Sequence, residues 1–202
     1  NKDLYYFDTF LRTGDLGRID ADSYVWITGR AKDLIIRGGH NIDPAEIEEA
    51  LLGHKAVAFA GAIGQPDARA GELPCAYVEL VGGPSVTPQE LMEHCKVHVH
   101  ERAAHPKHIE ILDELPKTAV GKVFKPDLRR SAITRVYNEA LEAAGCDARV
   151  VSVVESKKLG LTAQLERNGA DPEKVKHVLG EFTRPWEWVD DAQAKKAAPE
   201  VA

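Results

Sequence analysis

The chain has 202 residues, 44% of them hydrophobic, and a formal net charge of −6. That is enough apolar chain for one or two domains with real cores, and the acidic balance excludes a general binder of nucleic acid or anionic membrane, so any anion site must be local. No apolar run approaches the roughly 18–20 residues that span a bilayer, and the three scattered cysteines (Cys75, Cys95, Cys146) form neither a disulfide framework nor a CxxC site.

Residues 1–29 read as strands. The segment FLRTGDLGRID, the turn-like Ala21-Asp22-Ser23 and then YVWITG alternate like a hairpin. A lone hairpin is marginal in water, so it is expected to be the end of a domain lying mostly outside this chain. The chain also opens mid-pattern without a methionine, as a piece of a longer protein would. Arg30, Lys32 and Asp33 then make a charged turn, and Leu34-Ile35-Ile36 reads as a short buried strand. Gly38 and Gly39 permit a positive φ or a close approach to a ligand. Asp43-Pro44 starts a helix with a carboxylate cap and proline at its first position, and Glu46 suggests a capping box. That helix is expected to end near Gly53.

Ala56–Ile63 and Pro74–Val81 alternate as strands between Gly, Pro and Asp. Thr87-Pro88-Gln89-Glu90 caps a helix running to about Glu101, with Leu91, Cys95 and Val99 on one face. Ile109–Leu112 is a further strand. After Pro126, Leu128, Ile133, Val136, Tyr137, Ala140 and Leu141 fall at helical spacing and stop at Gly145. Helices beside a small mixed sheet make the class α+β. Beyond Gly145 the composition restarts: strands at 148–154 and 160–165, a helix capped by Asp171-Pro172, and a strand carrying Trp186 and Trp188. The expected organisation is therefore 1–31 as terminal strands of a preceding large domain, 32–145 as a small α+β domain, 146–190 as a ββαβ-like appendage, and 191–202 as a disordered tail.

Three stretches carry chemistry. In PKTAVGKVFKP, Gly121 precedes Lys122, with Lys117 and Lys125 close by. Such a mobile loop presents a point cation suited to a phosphate or a developing oxyanion, although a solvated basic loop has the same wording. In Thr13-Gly14-Asp15, a carboxylate at a strand end can accept the two hydroxyls of a ribose, or simply cap a turn. The third is GRAKDLIIRGGHNIDPAEIE, Gly29 to Glu48, which alone is also an ordinary strand–turn–helix connection.

In this order and spacing, TGDLG, GRAKDLIIRGG with NI and PAEIE, and PKTAVGKV resemble the C-terminal part of the ANL superfamily of adenylate-forming enzymes, over about residues 5–130. The resemblance implies a lid domain working with ATP, CoA and Mg²⁺ on a small-molecule carboxylic acid. Position by position, it implies that Asp15 binds the adenylate ribose and that Arg30 contacts ribose or phosphate. Lys32 would be the hinge, Gly39 would line the pantetheine passage, and Lys122 would be the catalytic lysine holding the acid carboxylate and α-phosphate. The wording IIRGGHNIDPAEIE, with Ile36 where luciferase-like and plant aryl-acid ligases commonly have lysine, is similar to bacterial fatty-acid or related acid:CoA ligases. The family's phosphate loop and acid pocket lie in the preceding large domain, so the chain alone is not expected to turn over. A cytoplasmic location fits its cysteines.

Other readings remain open. An adenylation or acyl-AMP ligase module that loads a carrier-protein thiol would use the same words, and the appendage would suit a non-catalytic interaction module. His94 and His98 share a helix face at the i, i+4 spacing of zinc sites, but no further ligand completes a set, and a solvated helix edge is expected. No metal site is assigned.

Overall fold

The computed structural model describes residues 4–7, 9–83 and 85–189. The expected tail at 191–202 lies outside them. Two short strands, β1 (Tyr5–Tyr6) and β2 (Phe10–Leu11), pair with each other. The hairpin follows as β3 (Asp15–Ile19) and β4 (Val25–Arg30), antiparallel, with Asp15 opposite Arg30. The Asp20 carboxylate closes its turn by accepting from the Trp26 indole and from the amides of Tyr24 and Asp22; these bonds hold its pKa below the ordinary value.

The main sheet is mixed and five-stranded. β5 (Ile35–Arg37) pairs with β6 (His40–Ile42), and β7 (Val57–Asp67) runs antiparallel along the length of β8 (Gly71–Leu80). The other edge of β8 holds β5 at Gly71 and, further along, β9 (His108–Leu112) in parallel. Alternation along β8 divides its side chains between two cores. Ala76 and Val78 face α1 (Pro44–Leu52) and α2 (Pro88–His98), packing with Ile47, Leu51, Leu91 and Cys95. Cys75 and Tyr77 face α3 (Lys125–Ala143), packing with Leu115, Leu128 and Ala132.

α3 has a second apolar stripe. Ile133, Val136, Tyr137 and Leu141 form one wall of another core, whose other walls are β10 (Arg149–Ser156), β11 (Gly160–Glu166) and α4 (Pro172–Leu179). The last strand, β12 (Trp186–Trp188), joins β11 in parallel, so the ββαβ order expected from the sequence is present. Trp186 and Trp188 meet edge to face, 5.3 Å between ring centres, and pack on this same core. Among the described residues no helix is long and apolar enough to cross a membrane.

Several local expectations need correction. Asp43 caps α1 through the Ala45 amide, but Glu46 does not complete a capping box; its carboxylate accepts from the His100 amide instead. The reciprocal box occurs at Thr87 and Glu90, where both bonds form. α2 ends at His98 rather than near Glu101, because Val99 turns to extended backbone and buries its side chain under the sheet. Leu34 lies outside β5, and Ile36 is 47% exposed, so that strand is buried on one face only.

Gly61 on β7 lets both α3 and the Lys122 hairpin approach the sheet closely. A Cβ built there would lie 2.7 Å from Leu128 Cδ1 and 2.8 Å from Val123 Cγ1. Gly61→Ala is therefore expected to lower stability by about 1–3 kcal/mol through overpacking. Thermal melting checks this, and an unchanged midpoint would mean that the helix yields freely.

Candidate functional site

Cross-strand register brings Asp15 and Arg30 together as an ion pair, with Arg30 Nε 3.0 Å from Asp15 Oδ1. The Thr13 hydroxyl accepts from the Asp15 amide, and the Gly14 carbonyl accepts from the Ala31 amide at 2.9 Å, so TGD is a tied turn with Gly14 at φ +80. Gly29 lets β4 pass close to α1, since a Cβ there would sit 3.1 Å from both oxygens of Asp43. The result is a cleft of about 260 Å³ lined by Asp15, Arg30, Asp33, Asp43, Glu48 and Lys125.

The carboxylates of this cleft are already engaged. Asp33 pairs with Arg129 at 2.8 Å, Asp43 caps α1, and Glu48 takes both Lys125 at 2.8 Å and the Ala62 amide at 2.7 Å. Each charge is partnered, so the cleft is not a cation cage. Among the described residues no group of three or more His, Cys, Asp or Glu is arranged to hold a metal ion. The histidines on α2 are used by the backbone: His94 Nε2 lies 2.9 Å from the Ala50 carbonyl of α1 and His98 Nδ1 lies 2.8 Å from the His94 carbonyl. His94 is half-buried against α1 rather than fully solvated.

The charged turn, Ala31–Asp33, is a single 3-10 turn joining the hairpin to the sheet. It sits between two ion pairs that tie it to different elements. Arg30 belongs to the hairpin through Asp15, and Asp33 belongs to α3 through Arg129. Lys32, between them, is exposed and makes no ion pair with any described residue.

Lys122 stands at the tip of a pinned hairpin, not on the loose loop its glycine suggested. Lys117 and Val123 bridge across it, Thr118 N donates to the Lys122 carbonyl at 2.7 Å, and Phe124 N donates to the Pro116 carbonyl at 2.7 Å. Gly121 turns the tip at φ +78. The flanking lysines are spent on structure. Lys117 Nζ reaches Glu79 at 2.6 Å and lies over the Phe59 ring, and Lys125 is held by Glu48. Of the three lysines, Lys122 alone is exposed, and it meets no carboxylate among the described residues. The sequence did not reveal this sorting, because the carboxylates that take up Lys117 and Lys125 are far along the chain.

Glu79 anchors the base of that hairpin twice, accepting from Lys117 and from the Leu115 amide. The Lys117 bond, then the Leu115 amide, holds its carboxyl below the ordinary 4.5. The unfolded chain therefore binds the extra proton, and stability rises with pH across this window. The contribution is complete above pH 4.5 and is lost as pH falls through the lower folded-state value. Glu79→Gln is expected to flatten the acid limb of a plot of melting temperature against pH; an identical limb would deny the anchor any energetic role.

The glycine pair lies at the other end of β5. Gly38 (φ +53) and Gly39 (φ +91) join β5 to β6 in a two-residue turn with both φ positive, the type I′ signature. Beside it opens a cleft of about 930 Å³ with a basic wall from Arg37, Lys96, Arg102 and Lys107, in which Lys96 is paired with Glu93, and with His40 and His105 between them. Arg37 is not a free strand-end arginine, since it donates to the Ala103 carbonyl and fixes the turn at Arg102–Ala104. This wall draws on three separated segments and was missed in the sequence; the basic and histidine-rich run from Lys96 to His108 was its only trace. The cysteines contribute no nucleophile. All three are buried and free, and burial pushes the Cys75 thiol up to about 12 and the Cys95 thiol up to about 11.

Residues 46–122, from the first turn of α1 to Lys122, match the AMP-binding enzyme C-terminal domain. The chain is 53% identical over 134 residues to marinolic acid–CoA ligase of Pseudoalteromonas sp. (strain SANK 73390), covering 66% of this chain and 20% of that protein. It belongs to the ANL superfamily of AMP-binding, adenylate-forming enzymes. Two solved members share its fold. ATP-bound MatB from Rhodopseudomonas palustris is 36% identical with a TM-score of 0.59, over 63% of this chain and 25% of that one. The o-succinylbenzoate CoA synthetase MenE from Bacillus subtilis, in complex with the acyl-adenylate intermediate OSB-AMP, is 38% identical with a TM-score of 0.58, over 64% of this chain and 26% of that one. The chain thus spans a fifth to about a quarter of the length of these adenylate-forming relatives. Lys122 ends the matched span, whereas Asp15, Arg30, Lys32 and Gly39 precede it and β10–β12 follow it.

Proposed function

We propose that this chain is the lid of an AMP-forming acid:CoA ligase, which activates a carboxylic acid, in our reading a fatty acid, as its acyl-adenylate and then passes the acyl group to CoA. One observation carries the reading: a single exposed ammonium, Lys122, is held at the tip of a pinned hairpin whose two other lysines are neutralised. Attack of a carboxylate on the α-phosphate brings two anions together and moves charge onto phosphoryl oxygens. A desolvated cation at that point lowers the barrier. In this reading Asp15 accepts the ribose hydroxyls, Arg30 contacts ribose or phosphate, and the backbone at Lys32 is the pivot. Gly39 lines the passage of the pantetheine thiol, and the cationic cleft beside it suits the CoA phosphates. The nucleotide-side cleft and the glycine turn lie at opposite ends of β5, which supports a lid that serves two half-reactions in turn.

The described residues do not fit a Mg²⁺ site, so Mg²⁺ is assigned to the rest of the full-length protein, together with the acid pocket; the chain by itself is inactive in this reading. Reduced, buried cysteines suit the cytoplasm. The test is the full-length protein with ATP and a panel of straight-chain acids. Acid-dependent pyrophosphate release and an acyl-CoA product by mass spectrometry are expected. Acyl transfer to a phosphopantetheinylated carrier protein, with none to CoA, would replace the ligase by a carrier-loading enzyme, and no pyrophosphate release would remove both.

A further inference from the structure

The glycine turn has a neighbour beyond the matched domain. Gly38, Gly39, Gly71 and Glu72 line a second cavity, of about 370 Å³, whose opposite wall is Leu159, Thr183, Arg184 and Pro185. Leu159 lies in the β10–β11 turn, and 183–185 lead into β12, so this wall is built by the connecting segments of the last sheet.

The two walls are joined by an ion pair and a hydrogen bond in series. Arg184 Nη2 donates to Glu72 Oε1 at 2.7 Å, and Glu72 Oε2 accepts from the Ile36 amide at 3.0 Å. β5 meets β8 at the single pair Arg37–Gly71, so its edge would otherwise leave that amide without a sheet partner. The carboxylate takes the place of the missing strand. Gly64 makes room for it, because a Cβ there would lie 2.4 Å from Glu72 Oε2. Arg184 is fixed from the other side, where its backbone carbonyl accepts from the Tyr137 hydroxyl of α3 at 2.6 Å. Ile36 stands two residues before the glycine turn.

We infer that the β10–β12 sheet forms the second wall of the thiol passage, and that Arg184 is a positioning residue which sets the Gly38–Gly39 turn through Glu72. This rests on the ligase reading above and extends it to the acceptor half-reaction. The occupant is the thiol-bearing arm of CoA, since the cavity shares Gly38 with the cationic cleft that suits its phosphates. Arg184 acts on thioester formation and leaves adenylation alone, because this series ends on β5 and touches neither Lys122 nor the Asp15–Arg30 cleft.

The experiment uses the full-length protein and reads two quantities, acid-dependent pyrophosphate release and the CoA dependence of acyl-CoA formation. Arg184→Ala is expected to raise the KM for CoA roughly tenfold, as a misplaced positioning element does, with pyrophosphate release unchanged and Arg184→Lys restoring most of the loss. Leu159→Trp alters only an exposed turn residue, so the fold is kept while the cavity narrows, and it too is expected to raise the KM for CoA selectively. An unchanged CoA dependence in both variants, beside normal pyrophosphate release, overturns the inference. Equal loss of both half-reactions in Arg184→Ala without rescue by lysine overturns it as well, since that marks a purely structural pair. If the unaltered protein makes no acyl-CoA, the ligase reading falls and takes this inference with it.

Discussion

Lys122→Ala in the full-length protein is expected to lower acyl-adenylate formation by about 10²–10³-fold, the usual consequence of deleting one preorganised charge at a developing oxyanion. Conversion of supplied acyl-adenylate to acyl-CoA should be nearly unaffected. The structure makes this substitution unusually clean. The bonds at the tip run through the backbone of residue 122, from Thr118 N to its carbonyl and from its amide to the Thr118 hydroxyl at 3.2 Å, and alanine keeps both. The side chain is exposed and makes no ion pair with any described residue, so folding stability should move by no more than about 0.5 kcal/mol. Single-turnover assays started from acid plus ATP, and separately from acyl-adenylate plus CoA, measure the two steps. Parallel loss of both would show that the lysine is not confined to adenylation.

The second large effect belongs to the glycine turn. Gly39→Val places a β-branched residue at φ +91, at a cost of about 1–3 kcal/mol, and this penalty comes from the backbone, since nothing lies within 4 Å of an added Cβ. The new side chain instead enters open space, which on the ligase reading is the path of the thiol. Thioester formation is expected to fall about 10–100-fold through misplacement of the incoming thiol, while pyrophosphate release persists. CoA titrations alongside thermal melting separate the two contributions. A variant that melts lower yet uses CoA normally would leave the turn with a folding role alone.

These expectations rest on features that differ in how openly the sequence displays them. Helix starts were legible because capping is local: Asp43-Pro44, Thr87-Pro88 and Asp171-Pro172 each put an oxygen and a proline where the first free amides need them. The hairpin at Asp15–Arg30 was legible for the same reason, as were the positive φ of the glycine pair and the α+β class, but the strand β6 that follows the glycines was not. What was hidden is long-range. Asp33 finds Arg129 across 96 residues and Glu72 finds Arg184 across 112, and no spacing rule links such partners. Glu46 shows the converse error, where a residue in the right place for a capping box was claimed by His100 because the fold brought a second amide within reach. The cationic cleft was invisible as a unit, since strand β5, helix α2 and the approach to β9 each supply a part.

α3 is a wall of two interiors at once, through Leu128 and Ala132 on one side and Tyr137 and Leu141 on the other. It therefore works as an axle between the sheet that carries the glycines and the sheet that carries the tryptophans. A shared axle couples what it carries: a turn of one sheet is expected to draw the other along with it, so that a grip on the far end can steer the near one.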